Sequence, residues 1–460
     1  MAKNQSLQET VVKGSLTTLV LTLLGAIFAY LIRILYSHSL SVENYGLFYA
    51  VFGVFSIVVG YSDLGFGYAI VYLLPKYLKI KNYSKAWNIY IHGQVISLIM
   101  AVIISVILIV SAPFLVKYYF KVPSSENLIY IFCIYLISFT ILNGLIQIFT
   151  GMQKVKYYSS ITLIRWLLTF IFSILFFLFD SPNIIFYALS WGLGHIITAI
   201  IFLFFLLYKH PNISKNKVVW SNAIIKQMLA LAFPVLMENF VVTTMIFADT
   251  FFLTLMKGVK EVGIYNIIYP LTSVSIILLT PINGLILPLV SHLMEGEREK
   301  LRLLINRILE LVPFMGIYFS LFIILFPSSI VRLVFGQKWL GLVEIPLIFL
   351  SIGYIGILIS NALGNIAIGT GRVKERLKAN VILAMISVCL DILLVWRFGI
   401  LGVVITNSLI GFMLSIWCIK IIKTSISFQT PLWFYLKILA FSIAVFIAVR
   451  LIGFSPKNWS

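Results

Sequence analysis

The stretch AWNIYIHGQVISLIMAVIISVILIVSAPFLV, residues 86–116, contains no Lys, Arg, Asp or Glu. A helix needs about 20 mostly apolar residues to cross the roughly 30 Å of hydrocarbon in a bilayer, so this stretch can span a membrane. Membrane β-strands are shorter and alternate in polarity, so we predict helices rather than a barrel. Further uncharged stretches of sufficient length are 127–153, 181–208, 262–294, 311–331, 345–371 and 398–419.

The composition of the whole chain agrees with this prediction. Of its 460 residues, 61% are hydrophobic and 11% are charged. Soluble domains have about 45–50% apolar and about 25% charged residues, so a soluble enzyme, a disordered protein and a disulfide scaffold are excluded. The three cysteines lie in apolar stretches without a Cys/His cluster. We therefore expect no metal site and no cofactor.

The fold class predicted from these stretches is an all-α polytopic membrane protein with about thirteen transmembrane helices. Tryptophans at or near several proposed ends are typical of an interfacial aromatic belt. The predicted helices cover 14–37, 46–75, 87–117, 127–151, 157–179, 183–208, 224–256, 262–290, 302–329, 343–369, 376–395, 400–423 and 433–452.

Lys and Arg are distributed unevenly between the two sides of these helices. If the N-terminus is cytoplasmic, 23 of the 34 basic residues lie in inner segments and 9 in outer segments. This bias predicts a multi-pass protein of the cell membrane with a cytoplasmic N-terminus. It also explains the net charge of +19 without nucleic acid as a partner. The loops are too short for a catalytic module and there is no phosphate-binding loop, so we do not expect an enzyme or an ATP-driven pump.

An internal repeat divides the chain. Residues 42–48 resemble 259–265, and residues 151–156 resemble 369–374, at offsets of 217 and 218. Six helices per repeat is an even number, so the repeats enter the membrane from the same side and are parallel. We predict an N-terminal six-helix lobe at 1–210, a basic cytoplasmic linker at 211–223 and a C-terminal six-helix lobe at 224–425. An additional helix and a tail at 426–460 follow. Two lobes of this kind indicate alternating access around a site between them.

Four ionisable residues at membrane depth are candidates for ion coupling or gating: Asp63, His195, Glu238 and Asp249. A charged side chain in hydrocarbon costs about 2.5 kcal/mol or more, so it usually faces a cavity or a partner. Asp63 lies among glycines that allow either close helix packing or a local break. Glu238 follows Pro234 by one turn and is either an ion site or a buried neutral carboxyl. His195 is either part of a proton relay or a packing residue.

Five further residues are candidates for substrate binding: Arg33, Asn143, Gln147, Arg165 and Asn266. The guanidinium of Arg165 suits a phosphate, although its depth also suits a topology anchor. The amides either line a wet cavity or join helices. Arg33 and Asp249 occupy corresponding places in the repeat. One interpretation is that the two residues act as a gate, or that one binds the substrate and the other the coupling ion. The alternative is a static salt bridge, or an Arg33 side chain that reaches the outer surface.

The chain resembles the multidrug/oligosaccharidyl-lipid/polysaccharide (MOP) exporter superfamily, above all its polysaccharide-transporter branch of O-antigen-type flippases. Order and spacing of several short segments over about 10–425 carry the resemblance, and no single motif is diagnostic. The segments are Arg33 with Glu43-Asn44-Tyr45-Gly46, Ser62-Asp63-Leu64-Gly65, Leu74-Pro75, Phe233-Pro234, Leu287-Pro288 and Gly371-Arg372.

This resemblance implies a V-shaped two-lobed bundle that flips a polyprenyl-(pyro)phosphate-linked oligosaccharide from the inner to the outer leaflet. It implies a cationic cavity, with Arg33 as the best match to a cavity arginine. It also implies coupling to a gradient of H⁺ or Na⁺, with Asp63 and Asp249 as the best candidates. Membrane lipids and glycan polymerase proteins are the implied partners.

Two other functions remain open from the sequence. Three acidic residues, Asp63, Glu238 and Asp249, outnumber the arginine Arg33. This acidic excess favours a cation-coupled multidrug exporter of the same superfamily. A membrane glycan polymerase or ligase is the third possibility, but it would need a sizeable outer loop with catalytic residues.

Overall fold

The computed structural model describes residues 2–179, 183–294 and 296–451, and within these ranges it contains helices and no strands. The helices are α1 (Ala2–Ser39), α2 (Val42–Ser62), α3 (Phe66–Lys79), α4 (Tyr83–Phe114), α5 (Ser125–Gly151), α6 (Val155–Phe179), α7 (Ile184–Lys209), α8 (Pro211–Ser214), α9 (Asn222–Lys257), α10 (Val259–Met294), α11 (Arg298–Leu325), α12 (Pro327–Phe335), α13 (Glu344–Gly369), α14 (Val373–Phe398), α15 (Ile400–Lys423) and α16 (Leu432–Leu451). A π-helical turn, Leu115–Phe120, extends α4, and a 3₁₀ turn, Gln337–Trp339, follows α12.

The predicted all-α membrane fold is confirmed. Ten of the helices have a described apolar stretch long enough to cross a bilayer. Each of the thirteen predicted helices has a counterpart, and several agree within two residues, such as 127–151 with Ser125–Gly151. The chain is therefore a multi-pass membrane protein.

The second predicted helix is wrong in one respect, because 46–75 is not continuous. It ends at Ser62 and resumes at Phe66, and the three residues between form a turn. Leu64 has φ +49° and Gly65 has φ +76°, both in the left-handed region. A left-handed residue other than glycine costs roughly 1–2 kcal/mol, so the surrounding contacts must hold Leu64 in place. The glycines allowed either a local break or close packing, and the structure contains both, because Gly65 lies in the break and close to the backbone of Ala232.

Gly65→Ala is expected to destabilise the protein by about 2–3 kcal/mol, through left-handed backbone and a steric clash. Its backbone is left-handed, and a Cβ would lie 2.5 Å from the carbonyl oxygen of Ala232. Gly371→Ala is the matched control, because Gly371 has φ +80° but no atom within 4 Å of its Cβ position. It should show the conformational cost alone, about 1 kcal/mol. Thermal unfolding in detergent measures both, and equal losses would mean that the contact with Ala232 is unimportant.

The chain divides into two compact units, Met1–Phe247 and Ala248–Ser460. The division falls inside α9, so the first part of this helix packs with the first unit and its last turns pack with the second. The predicted lobes, 1–210 and 224–425, with the linker 211–223 and the extra segment 426–460, remain a prediction.

Each unit has its own apolar core. In the first unit, α3, α4, α5 and α7 meet around Phe66, Leu145 and Phe149, and Met228 of α9 is buried among them. In the second unit, α10, α11, α13 and α15 meet around residues such as Leu363 and Ile422. A hydroxyl network also ties α1 to α6 and α7, because Tyr36 Oη lies 2.8 Å from Ser173 Oγ and 2.9 Å from Ser190 Oγ.

The segment that connects α8 to α9 is held against α4 by two buried side chains one helical turn apart. Asn88 Nδ2 donates to the carbonyl of Lys217 (3.2 Å), and Asn88 Oδ1 accepts from the amide of Val219 (2.7 Å). His92 Nε2 accepts from the amide of Ser221 at 2.9 Å, and its ring stacks on Trp220 at 4.5 Å. The end of the connecting segment is therefore a fixed part of the first unit.

Candidate functional site

The second unit contains two buried carboxyl groups side by side, Asp249 on α9 and Asp391 on α14. Asp249 is 4% exposed and Asp391 is fully buried. Asp249 Oδ2 accepts two hydrogen bonds, from Tyr265 Oη at 2.5 Å and from Asn407 Nδ2 at 2.7 Å. These two donors, one on α10 and one on α15, stabilise a negative charge on Asp249.

Asp391 has a different environment. The buried Oγ1 of Thr406 and the carboxyl group of Asp249 lie next to it, but neither carboxyl oxygen of Asp391 has a hydrogen bond of good geometry with the described residues. Two adjacent buried carboxyl groups disfavour double ionisation unless a proton or a metal cation neutralises one charge. Carboxylate, hydroxyl and amide oxygens are also the ligands that hard cations prefer. The pair can therefore bind H⁺ or a small cation, and Asp391 is the member with unused oxygens.

Asp63 lies at the break between α2 and α3. Its Oδ1 accepts from the amide of Gly65 at 2.9 Å, and its Oδ2 accepts from Gln147 Nε2 at 3.3 Å. The hydroxyl of Ser97 donates to its carbonyl oxygen at 3.5 Å. Asp63 is a candidate for ion coupling or gating, and Gln147 is a candidate for substrate binding. The structure joins these two residues by a hydrogen bond. In this arrangement the Asp63 carboxylate bridges the helix break.

Arg33 lies on α1 in the first unit and is half-buried. Its guanidinium carbon lies 4.5 Å from the centroid of the Tyr49 ring on α2. A guanidinium on an aromatic face keeps its charge and its hydrogen-bonding edge. This position is suitable for a cation that contacts a phosphate. The predicted relationship between Arg33 and Asp249 remains a prediction.

Arg165 and His195 lie near each other inside the first unit. The Arg165 guanidinium lies 4.8 Å from the Trp166 ring, and its buried Nε has no hydrogen-bond partner among the described residues. His195 is 1% exposed, and its Nδ1 lies 2.7 Å from the carbonyl of Trp191. That nitrogen therefore carries the proton. The imidazole ring also packs edge-on against the ring of Tyr135, with the centroids 4.9 Å apart, so the geometry favours packing over a proton relay.

The remaining candidates have less distinctive surroundings. Asn143 is half-buried on α5. Asn266 Nδ2 donates to the carbonyl of Val262, within its own helix, at 3.0 Å. Glu238 belongs to α9, but its side chain lies outside the part of the chain that the structure describes. Roles for these residues remain predictions.

Sequence reasoning did not select Asp391, Tyr265 or Asn407 for the site. The sequence did offer a reason to select Asp391, because it is a lone carboxylate in the outer part of a predicted membrane helix. Tyr265 is one of 23 tyrosines, and Asn407 is a single amide in an uncharged stretch, so neither stands out by itself. Only the packing of α9, α10, α14 and α15 brings them together.

Comparison with known families gives two matches. A family model described as "polysaccharide biosynthesis protein" matches residues 11–294, and the MatE model matches residues 234–393. An uncharacterized membrane protein of Methanocaldococcus jannaschii is 27% identical over 417 residues, which cover 87% of this chain and 82% of that protein.

Two solved structures have a similar fold over nearly their whole length. An inward-facing multidrug resistance MATE family transporter of the MOP superfamily has a TM-score of 0.71 at 17% identity, covering 92% of this chain and 98% of that one. The lipid II flippase MurJ, in an inward closed conformation, has a TM-score of 0.72 at 15% identity, covering 96% and 93%. These similarities and the family matches confirm the predicted resemblance to the MOP superfamily.

Proposed function

Because the chain belongs to the polysaccharide biosynthesis protein family, we propose that it flips a polyprenyl-(pyro)phosphate-linked oligosaccharide from the inner to the outer leaflet of the cell membrane. The observation that carries this proposal is the family match over residues 11–294. The similarity in fold to a protein named as a lipid II flippase supports it, because lipid-linked sugars are substrates of the same chemical class. The chain works by alternating access with its N-terminus in the cytoplasm, and membrane lipids and glycan polymerase proteins are its partners.

The phosphate of the substrate needs a cation within the membrane, and Arg33 is the residue assigned to it. Its guanidinium lies on the ring of Tyr49, and a guanidinium suits bidentate contact with an oxyanion. Arg165, Asn143, Gln147 and Asn266 are the other residues assigned to the substrate. Of these, Gln147 acts through Asp63, to which it donates a hydrogen bond.

Transport is driven by an ion gradient that acts on the pair of Asp249 and Asp391. The Tyr265 and Asn407 donors fix the charge of Asp249, so Asp391 takes up and releases the proton or cation. A proton or cation that binds at Asp391 removes a net negative charge from a buried site. The ion-bound and ion-free states of the protein therefore differ in energy. Asp63, His195 and Glu238 remain the other candidates for coupling or gating.

A cation-coupled multidrug exporter is the second candidate function. It is favoured by the match of the MatE model to residues 234–393 and by the fold of a multidrug resistance MATE family transporter. The segment matched by MatE includes Asp249 and Asp391. An acidic pair of this kind would suit a cationic drug as well as a coupling ion.

Depletion of the protein from its native cells should distinguish the two functions. If it is the flippase, a complete polyprenyl-linked oligosaccharide should accumulate on the inner leaflet, because the step that carries it outward is lost. Mass spectrometry of lipid extracts measures the accumulated species and identifies the sugar. A normal lipid-linked pool together with new sensitivity to cationic dyes would contradict the flippase and indicate the drug exporter.

A further inference from the structure

One face of α3 is exposed, whereas the opposite face packs into the apolar core of the first unit. The exposed face carries Tyr68, Tyr72, Lys76 and Lys79, and their spacing of three or four residues aligns them along the helix. We call these four residues the α3 stripe. It is about 17 Å long at 1.5 Å per residue. Its first half is aromatic and its second half is basic, so it can contact two different parts of one ligand.

The two tyrosines form an open aromatic surface. Tyr68 is 48% exposed and Tyr72 is 59% exposed. The planes of their rings are 18° apart and the ring centroids are 6.1 Å apart. A tyrosine ring has an apolar face and a polar hydroxyl at its edge. A sugar ring has the complementary shape, because its C–H groups form an apolar face and its hydroxyls lie around the rim. The pair is therefore suited to stack on a glycan.

A surface that faces hydrocarbon has a different composition in this chain. On α4, which packs against α3, every exposed residue between positions 99 and 110 is isoleucine or valine. The α3 stripe contains no aliphatic residue. Single tyrosines near a membrane surface are typical of an interfacial belt, but here two rings and two lysines share one face. This composition favours a polar, anionic ligand over the acyl chains of lipids.

The basic half of the stripe lies in a segment of unbalanced positive charge. Lys76 and Lys79 are exposed, and Lys81 and Lys85 follow in the turn and at the start of α4. No Asp or Glu occurs between residues 64 and 125. Lysine is a common phosphate-binding residue, and an unbalanced group of lysines attracts anions. With the proposed cytoplasmic N-terminus, the turn between α3 and α4 lies at the inner membrane surface, where a phosphate of the inner leaflet is within reach.

We propose that the α3 stripe binds the sugar-phosphate head group of the substrate at the inner leaflet. Lys76 and Lys79 bind the (pyro)phosphate, and Tyr68 and Tyr72 stack on the sugar rings joined to it. Tyr72 and Lys76 are about 6 Å apart along the helix, which suits a sugar bonded directly to a phosphate. The sugar thus points into the membrane ahead of the phosphate. This inference rests on the proposed flippase function and adds the residues that recognise the glycan.

Equilibrium binding to the full chain in phosphatidylcholine nanodiscs tests the proposal. The two tritiated probes are a polyprenyl diphosphate that bears one N-acetylhexosamine and the same polyprenyl diphosphate without sugar. The double substitution Tyr68→Leu and Tyr72→Leu removes both rings and keeps the surface apolar. We expect it to weaken binding of the sugar-bearing probe about tenfold, the effect of losing two aromatic contacts. Its affinity for the probe without sugar should equal that of the parent.

Two further double variants separate the contributions of ring and charge. Tyr68→Phe with Tyr72→Phe keeps both rings and should bind the sugar-bearing probe nearly as tightly as the parent. Lys76→Gln with Lys79→Gln should weaken both probes about tenfold, because each probe carries the diphosphate. This loss should shrink at high salt, since salt screens the lysines of the parent.

Tyr118→Leu is the matched control. Tyr118 is a tyrosine with 53% exposure beside Lys117, in the π-helical turn at the opposite end of α4. It has the same residue types as the α3 stripe but lies on the other side of the membrane. It should bind both probes like the parent.

Normal binding of the sugar-bearing probe by the double leucine variant would overturn the site and identify the tyrosines as part of the interfacial belt. Equal losses for the two probes would also overturn it, because the rings would then contact the lipid chain instead of the sugar. If the parent binds neither probe, the flippase function fails together with the site. If the parent binds both probes and no variant changes this, only the site fails.

Discussion

Asp391→Asn is expected to remove the dependence of transport on an ion gradient and to lower the driven rate at least about tenfold. The substitution keeps the size of the side chain but leaves no group that can exchange a proton or a cation with Asp249. Asp249 itself keeps its hydrogen bonds from Tyr265 and Asn407, so folding should be preserved. The measurement is flipping of the isolated lipid-linked oligosaccharide in proteoliposomes with imposed H⁺ or Na⁺ gradients.

Two controls make this result specific to the pair. Glu310→Gln removes a partly exposed carboxylate that lies 3.1 Å from Arg307 Nη1, and it should transport normally. Asn407→Leu removes one of the two donors to Asp249 and should change the ion concentration required for half-maximal transport. If Asp391→Asn retains the normal ion dependence, the pair has a structural role only.

Arg33→Ala should lower flipping by about ten- to a hundredfold, while membrane insertion and thermal stability stay near those of the parent. Hydrogen bonds to charged groups contribute about 1.5–3 kcal/mol, and the phosphate would lose its cation in the membrane. Arg33→Lys keeps the charge but lacks the bidentate edge, so its rate should be intermediate. Flipping in proteoliposomes is again the measurement.

The matched control for Arg33 is Arg307→Ala, which removes an arginine whose side chain is 82% exposed. It should leave transport unchanged. Normal flipping by Arg33→Ala would show that this arginine has another role, such as holding α1 on Tyr49.

The helices were predictable from the sequence because uncharged stretches of this length have few alternatives to a membrane helix. The break at residues 63–65 was harder, since Gly65 permits either close packing or a left-handed backbone. Its outcome depends on Ala232, which is distant in sequence. The resemblance to the superfamily followed from the order and spacing of short segments, and the family match over residues 11–294 confirmed it.

The candidate site was only partly predictable. Asp249 was selected because a carboxylate in hydrocarbon needs a partner, but the sequence does not say which. Its partners Tyr265, Asp391 and Asn407 lie on three other helices, and only helix packing brings them to one place. Gln147 shows the same limit, because its contact with Asp63 depends on how α5 packs against the helix break.

The attachment of the connecting segment to α4 has a consequence for synthesis of the chain on the ribosome. Asn88 and His92 are buried, and their partners Val219 and Ser221 follow 131 and 129 residues later. At about 5–20 residues per second, α4 waits on the order of 10 s for these partners. During that interval its polar side chains depend on water or on the translocation machinery. The first unit is therefore complete only after the segment that connects α8 to α9 has been synthesised.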